Sequence, residues 1–169
     1  MRGLTIWLTG LPCSGKTTIA NAVAERLDGP VEILDGDEVR EFLSRDLGFA
    51  KEDRDTQVLR VGWVASKLAR HGVTVLVSLV SPYADARDKV RALHGEAGVE
   101  FYEVHVATPV EVTSQRDVKG MYAKAYAGEI AHFTGVDDPY EPPASPDLVI
   151  HTQHEPVPGS AARVLELIR

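Results

Sequence analysis

The sequence predicts an α/β fold, a parallel sheet covered by helices on both faces. Three observations predict it. Short apolar runs alternate with segments of helical period, as in βαβ units with right-handed crossovers. A glycine-rich turn follows the first apolar run directly. The 169 residues, 44% hydrophobic and 25% charged, supply one ordinary core, so 1–169 reads as a single domain.

The elements follow in order. Residues 4–9, LTIWLT, form a short strand that runs into the glycine turn. The next segment, about 15–27, is helical, with Ile19, Val23 and Leu27 recurring on one face. VEIL at 31–34 is a second strand, stopped by Asp35-Gly36-Asp37. A long helix is expected over about 52–71, with Val58, Val61, Val64, Ala65 and Leu68 on one side and His71-Gly72 closing it. VTVLVSLV at 73–80 is almost wholly apolar or β-branched, as a strand buried on both faces must be, and Pro82 ends it. A helix over 84–95, a strand over 99–106, a helix from about 109, a strand at 148–150 and a final helix over 159–168 complete the chain. There is no internal repeat and no low-complexity linker.

Twenty-five acidic against eighteen basic side chains give a net charge of −7. That argues against a general nucleic-acid binder or a polybasic membrane anchor, which need a broad positive face, while leaving room for a local basic cluster around a small anion. A single cysteine cannot close an intrachain disulfide. No apolar run approaches the ~18 residues of a membrane helix, and the first ten residues lack a signal-like apolar stretch. A cytoplasmic protein is expected.

Gly10-Leu11-Pro12-Cys13-Ser14-Gly15-Lys16-Thr17 fits G-x-x-x-x-G-K-[ST] at every fixed position, between a buried strand and a helix start. Such a loop cradles phosphate oxygens with its N–H groups and the helix dipole. Lys16 would reach the β- and γ-phosphates, and Thr17 would ligate Mg²⁺. Cys13 reads as a small residue that fits the loop rather than a redox group. The fold expected is therefore a P-loop NTPase-type sheet. No guanine-reading N-K-x-D string occurs, Asp117-Val118-Lys119-Gly120 matches D-x-x-G too loosely to weigh, and the 73–80 strand ends at Ser81 rather than at an acid. The carboxylates come instead from Asp35 and Asp37, at the carboxyl end of the second strand where ligands of parallel sheets bind. That suits a small-molecule kinase, with one aspartate near the metal and the other near an acceptor hydroxyl. The alternative is a solvated turn in which Asp37 caps the next helix. Residues 117–146 break the alternation, with three glycines, four prolines and three tyrosines, and read as a mobile lid over the site or else as a surface insertion.

Several longer blocks carry a resemblance. WLTGLPCSGKTT at 7–18, LDGDEVR at 34–40, LGFAKEDR at 47–54, VGWVASKLARHGVTVLVSLVSPY at 61–83, RDVKGMY at 116–122 and GEIAHFTGVDDPYEPP at 128–143 resemble the adenylylsulfate (APS) kinases, nearly end to end. The resemblance implies Mg·ATP-dependent phosphorylation of the 3′-hydroxyl of adenosine 5′-phosphosulfate, with ATP and adenylyl sulfate as ligands and commonly a homodimer. It implies an ATP site over Gly10, Leu11, Pro12, Cys13, Ser14, Gly15, Lys16, Thr17 and Thr18, with Arg116 packed on the adenine. It implies an acceptor site of Asp37, Arg40, Arg54 and Gln57, with Phe49 and Phe133 on either side of the acceptor adenine. Phe49 as a core residue is the alternative. Asp35 would act through Mg²⁺-bound water. Ser81 would donate a hydrogen bond near the transferred phosphate, direct transfer needing no covalent carrier, and Lys119 would neutralise phosphate charge.

The chain departs from the family's pattern at several positions. Where the family usually has D-R-x-x-N-I-R-R, it reads Asp53-Arg54-Asp55-Thr56-Gln57-Val58-Leu59-Arg60. The usual S-P-Y-R is Ser81-Pro82-Tyr83-Ala84, though Arg87 is retained, and a frequent K-A-R-A-G-E-I contains Tyr126. These losses of arginine leave open a related nucleotide 5′-ester as acceptor. A nucleotide-gated binding domain without transfer is a further alternative, against which stand Asp37, Arg40 and Arg54. The six histidines show no close ligand spacing, so no metal is expected beyond the Mg²⁺ that accompanies ATP.

Overall fold

The computed structural model describes residues 3–169. Residues 1 and 2 of the stretch read as lacking a signal lie outside the described residues. The elements are β1 (Leu4–Thr9), α1 (Lys16–Ala24), β2 (Val31–Asp35), α2 (Gly36–Glu41), α3 (Lys51–Arg70), β3 (Thr74–Ser78), α4 (Ala84–Glu96), β4 (Glu100–Val106), α5 (Val110–Arg116), α6 (Met121–Tyr126), β5 (Leu148–Ile150) and α7 (Val157–Glu166). The five strands form one sheet in the order β2-β3-β1-β4-β5, parallel throughout. Among the described residues no helix is long and apolar enough to cross a membrane.

The near-continuous apolar runs are explained by two cores, one on each face. In β1, Leu4, Ile6 and Leu8 pack with Ile19, Ala20 and Val23 of α1 and with Ala161 and Val164 of α7. Trp7 points to the other face, among Val58, Val61, Ala65 and Ala69 of α3 and Ala86 and Val90 of α4. β3 divides the same way, Leu76 to the first core and Val75 and Val77 to the second. Because the side-chain period of a strand is two, a strand buried on both faces has no polar side to show. Each such fully buried aliphatic side chain contributes about 1.5–3 kcal/mol.

Boundaries shift for local reasons. The final helix starts two residues earlier than expected, because Pro156 is its N-cap and Pro158 sits in the first turn, where a missing N–H costs nothing. The expected helix over 15–27 ends at Ala24, with Leu27 still packed against the core beyond it. β3 stops at Ser78, and the chain then turns through Ser81, whose φ of 43° lies in the left-handed region.

Two elements were not expected as such. The Asp35-Gly36-Asp37 string does not end in a loop: Asp35 closes β2 and caps α2, its Oδ1 accepting the Asp37 N–H at 3.0 Å. The capping role offered for Asp37 therefore belongs to Asp35, and Asp37 sits inside the first turn. The 117–146 segment contains α6, whose first turn is capped by Asp117 through the N–H groups of Tyr122 at 2.8 Å and Ala123 at 3.1 Å. That short helix is why the segment exceeds an ordinary loop length.

α3 and α4 pack closely at Gly62. A Cβ there would meet Val90 Cγ2 at 2.5 Å and Cγ1 at 2.8 Å. Val90 is fully buried and β-branched, so it has no free rotamer to escape into. Gly62→Ala gains up to about 1 kcal/mol of helix propensity but overpacks the contact by about 1–3 kcal/mol. Urea unfolding should show a net loss of about 1 kcal/mol, relieved when Val90→Ala is added.

Candidate active site

The site lies at the carboxyl end of the sheet. The P-loop leaves β1 through Gly10, where a Cβ would stand 2.4 Å from the Val106 carbonyl of β4, so only glycine lets the chain turn there. Cys13 and Gly15 then take left-handed φ values of 63° and 105°. The Lys16 side chain curls back into the loop, and its Nζ donates to Gly10 O at 2.9 Å, Leu11 O at 2.8 Å and Ser14 Oγ at 3.4 Å. Burial pushes this ammonium down to about 8, against the opposing pull of Cys13, Asp35 and Asp37.

The outward carbonyls of the loop are held from behind. Ser14 O accepts from Thr108 Oγ1 at 3.0 Å, Thr152 Oγ1 at 3.0 Å and Arg116 Nη1 at 3.3 Å. Arg116 also reaches Cys13 O at 3.3 Å and Thr152 Oγ1 at 3.0 Å, so it braces the loop. Thr108 and Thr152 are functional positions that sequence reading missed; they lie 94 and 138 residues from Ser14, and nothing local marks them.

At the head of α1, Thr17 Oγ1 donates to Asp35 Oδ2 at 2.6 Å and accepts from Ser78 Oγ at 2.9 Å. The β2–β3 register places Asp35 beside Ser78. Three hard oxygens thus converge next to the P-loop, a donor set that suits Mg²⁺ with phosphate oxygens and water completing its shell. Among the described residues there is no cluster of three or more His, Cys, Asp or Glu side chains fit for a metal. Thr18 is exposed on the outer side of the same turn.

A cavity of about 640 Å³ opens in front of these groups. Lys16, Thr17, Asp35, Asp37, Arg40, Phe49, Arg54, Gln57, Ser81, Lys119 and Phe133 all line it, so the structure brings the residues expected for catalysis and for the acceptor to one place. Of the residues expected for ATP, Pro12, Cys13, Lys16 and Thr17 line this cavity, and Gly10, Leu11, Ser14, Gly15, Thr18 and Arg116 are not part of its wall. Lys119 forms an ion pair with Asp37, both side chains being well exposed. Phe49 is 52% exposed, which removes the core reading for it. Arg40 stacks on its ring at 4.4 Å and Arg54 at 5.4 Å, while Arg40 Nη1 donates to Leu47 O at 3.1 Å and Gly48 O at 2.6 Å. Burial lowers both guanidiniums from their usual value, and for Arg40 the like charge of Arg54 adds to it. Asp53 fixes the turn before Phe49 by accepting the Gly48 N–H at 3.0 Å.

The Ser81 hydroxyl is committed within the protein. It accepts from Trp7 Nε1 at 3.0 Å and donates to Leu79 O at 3.2 Å. Its carbonyl accepts Arg87 Nη1 at 2.6 Å, and Arg87 also donates to Glu103 at 3.0 Å and to Glu141 O at 2.6 Å. Gln57 is 7% exposed, and its Oε1 has no hydrogen-bond partner among the described residues. A buried oxygen without a donor costs about 1–3 kcal/mol, which an incoming N–H or O–H group would recover.

Comparison with known proteins agrees with this geometry. The family model for adenylylsulphate kinase matches residues 2–151. The adenylyl-sulfate kinase of Myxococcus xanthus is 52% identical over 169 residues, spanning 99% of this chain and 91% of that protein. That of Chloroflexus aurantiacus is 56% identical over 153 residues, 89% of this chain and 80% of that protein. The solved structure of the Mycobacterium tuberculosis APS kinase CysC in complex with AMPPNP and APS superposes with a TM-score of 0.96 at 43% identity, covering 99% of this chain and 98% of that one. By sequence along almost its whole length and by fold, the chain belongs to the adenylylsulphate kinase family.

Proposed function

We propose that the protein is an adenylyl-sulfate kinase, transferring the γ-phosphoryl group of ATP to the 3′-hydroxyl of adenosine 5′-phosphosulfate and releasing ADP. The observation that carries this is one cavity walled on one side by Lys16, Thr17 and Asp35 and on the other by Asp37, Arg40, Phe49 and Arg54. ATP phosphates would lie in the P-loop, with Arg116 beside the adenine. Mg²⁺ would be held by Thr17, with Asp35 acting through bound water, and would supply charge neutralisation on the phosphates. The two stacked guanidiniums suit the phosphosulfate, offering forked donors that stay charged. Phe49 and Phe133 would flank the acceptor adenine.

In the transfer, the acceptor 3′-oxygen forms a bond to the γ-phosphorus, the bond from that phosphorus to the β–γ bridging oxygen breaks, and the hydroxyl proton passes to Asp37. The transition state is loose, so alignment and charge count for more than basicity. Lys119 in its pair with Asp37 stands where it can exchange that carboxylate for phosphate oxygens. Ser81, with its proton on Leu79 O, serves chiefly to shape the floor of the cavity until a ligand competes for it. Residues 117–146 act as the lid of a single kinase domain, since Lys119, His132 and Phe133 reach the cavity from it. A cytoplasmic location, where ATP is supplied, is the reading that goes with this activity. A second reading, a 3′-kinase of a related nucleotide 5′-ester, is favoured by the unpartnered Gln57 Oε1.

Phe42, Leu43 and Trp63 are large apolar side chains 73%, 40% and 55% exposed, and Arg60, one turn before Trp63 in α3, donates to Leu43 O at 3.1 Å, which brings the two segments near one another; we read the three as one patch. We assign this patch to a homodimer contact. Sedimentation velocity should show Trp63→Glu lighter than the parent; equal values would remove the assignment.

Purified protein with Mg·ATP should form ADP when adenylyl sulfate is added, and Asp37→Asn should lower kcat by about 10²–10⁴ with ATP affinity little changed. A coupled assay with a panel of nucleotide esters separates the two readings, and no acceptor-dependent ADP at all sinks both. Phosphate seated on Lys16 raises its pKa above the free value of about 8, so binding takes up protons there. Calorimetry near pH 8 should therefore give ATP-binding heats that vary with the ionisation heat of the buffer, and affinity should fall as pH rises through that range.

A further inference from the structure

The Phe133-Thr134-Gly135-Val136-Asp137-Asp138 string carries two aspartates to which the transfer chemistry gives no role. Asp137 is tied into the backbone just ahead of it. Its Oδ2 accepts the His132 N–H at 2.8 Å and its Oδ1 accepts the Phe133 N–H at 2.8 Å. Two successive amides on one carboxylate hold His132 at a φ of 56°, a left-handed conformation that a residue with a Cβ adopts only when something compels it. The turn closes with the amides of Val136 and Asp138 on Phe133 O at 3.1 and 3.2 Å. These amides, Phe133 first, hold the Asp137 carboxyl below the usual carboxylate range.

The strained turn has one consequence on its other side. The His132 carbonyl accepts Arg54 Nη2 at 2.7 Å, while Arg54 Nε donates to Phe49 O at 3.0 Å. One guanidinium thus joins the backbone beside Phe133 to the backbone of Phe49. The Phe133 ring itself stands edge-on to Tyr122 at 4.8 Å, and Tyr122 is anchored to the P-loop through Pro12 O at 2.8 Å. Asp137 is exposed and supports none of the core, so its bonds act on this turn alone.

We propose that Asp137 is a positioning residue of the acceptor clamp. It meets no substrate; it holds His132 left-handed so that the His132 carbonyl docks on Arg54 and Phe133 faces the cavity. The inference rests on the acceptor site proposed above.

The test compares Asp137→Ala with His132→Gly and with the double variant Asp137→Ala/His132→Gly. Losing two charge-assisted bonds from the turn should raise the acceptor KM about tenfold or more in Asp137→Ala. ATP KM should stay within about twofold, since nothing at the P-loop changes. Amide exchange at His132 and Phe133 should quicken while the melting temperature stays close to that of the parent. Glycine adopts the left-handed turn without the carboxylate, so the double variant should return most of the way to the acceptor KM of His132→Gly alone, the reference that carries the loss of the cavity-lining imidazole. An unchanged acceptor KM, an equal rise in both KM values, or no recovery by glycine would overturn the proposal. Absence of adenylyl sulfate turnover in the parent protein is a separate outcome, which removes the acceptor site and this inference with it.

Discussion

Lys16 carries a charge in a position only 8% exposed, and among the described residues no carboxylate lies within ion-pair distance of it. An ammonium so placed must be met by oxygens, and the nearest are the carbonyls of its own loop. That demand shapes the nucleotide end of the molecule. The loop can turn its carbonyls onto Nζ only by passing through left-handed φ at Cys13 and Gly15 and by crowding Val106 at Gly10. The carbonyls of Cys13 and Ser14 then face outward and need donors, which Thr108, Thr152 and Arg116 provide. The segments that follow β4 and β5 thereby become braces of the phosphate loop.

The far wall is held by a second buried charge. Arg87, 2% exposed, pairs with Glu103 of β4, and its remaining donors go to Ser81 O and Glu141 O. A buried pair of this kind adds little net stability, because desolvation cancels most of the attraction. Its value here is geometric. It fixes the left-handed Ser81 turn on one side and the end of the 117–146 segment on the other. Tyr140 of that segment meets Thr9 of β1 at 2.9 Å beneath the same guanidinium. The segment is therefore fastened near its carboxyl end, at Glu141, and it meets the cavity further back through Lys119, Tyr122 on Pro12, and the His132 turn.

How much of this was legible in the sequence follows from the range of the interactions. Each strand could be read because burial on both faces leaves an unbroken apolar run, and the P-loop because its glycines and lysine are contiguous. α2 was legible only in the capping alternative at Asp37, and there out of place: it is six residues long, and its cap is Asp35, an aspartate that the chemistry also claims. α6 was hidden among turn-forming residues. Thr108 and Thr152 gave no signal, since an isolated threonine after a strand is common and its partner lies far off in the chain. Phe49 was ambiguous by composition, and only its exposure in the folded protein, beside two guanidiniums, decides that it is surface. The paired aspartates of the 133–138 string stood in plain view, yet their purpose appears only when the φ of His132 is known.

The acceptor wall raises an electrostatic question that the net charge of −7 sharpens. Arg40 and Arg54 stand on the same ring; burial lowers both, and the charge of Arg54 further lowers that of Arg40. They stay together because each has carbonyl partners that do not depend on a ligand: Leu47 and Gly48 for Arg40, Phe49 and His132 for Arg54. The repulsion is thus borne by the folded protein before any anion arrives. An acceptor carrying negative charge would relieve it, and would find the donors already oriented, so little ordering entropy remains to be lost on binding. The Lys119–Asp37 pair is the one contact that must open for the acceptor hydroxyl to reach its carboxylate, and it is the most exposed pair in the cavity. Exposure weakens it to the level of an ordinary surface ion pair. The site is therefore rigid where it must recognise charge and loosely held at the single bond that chemistry has to replace.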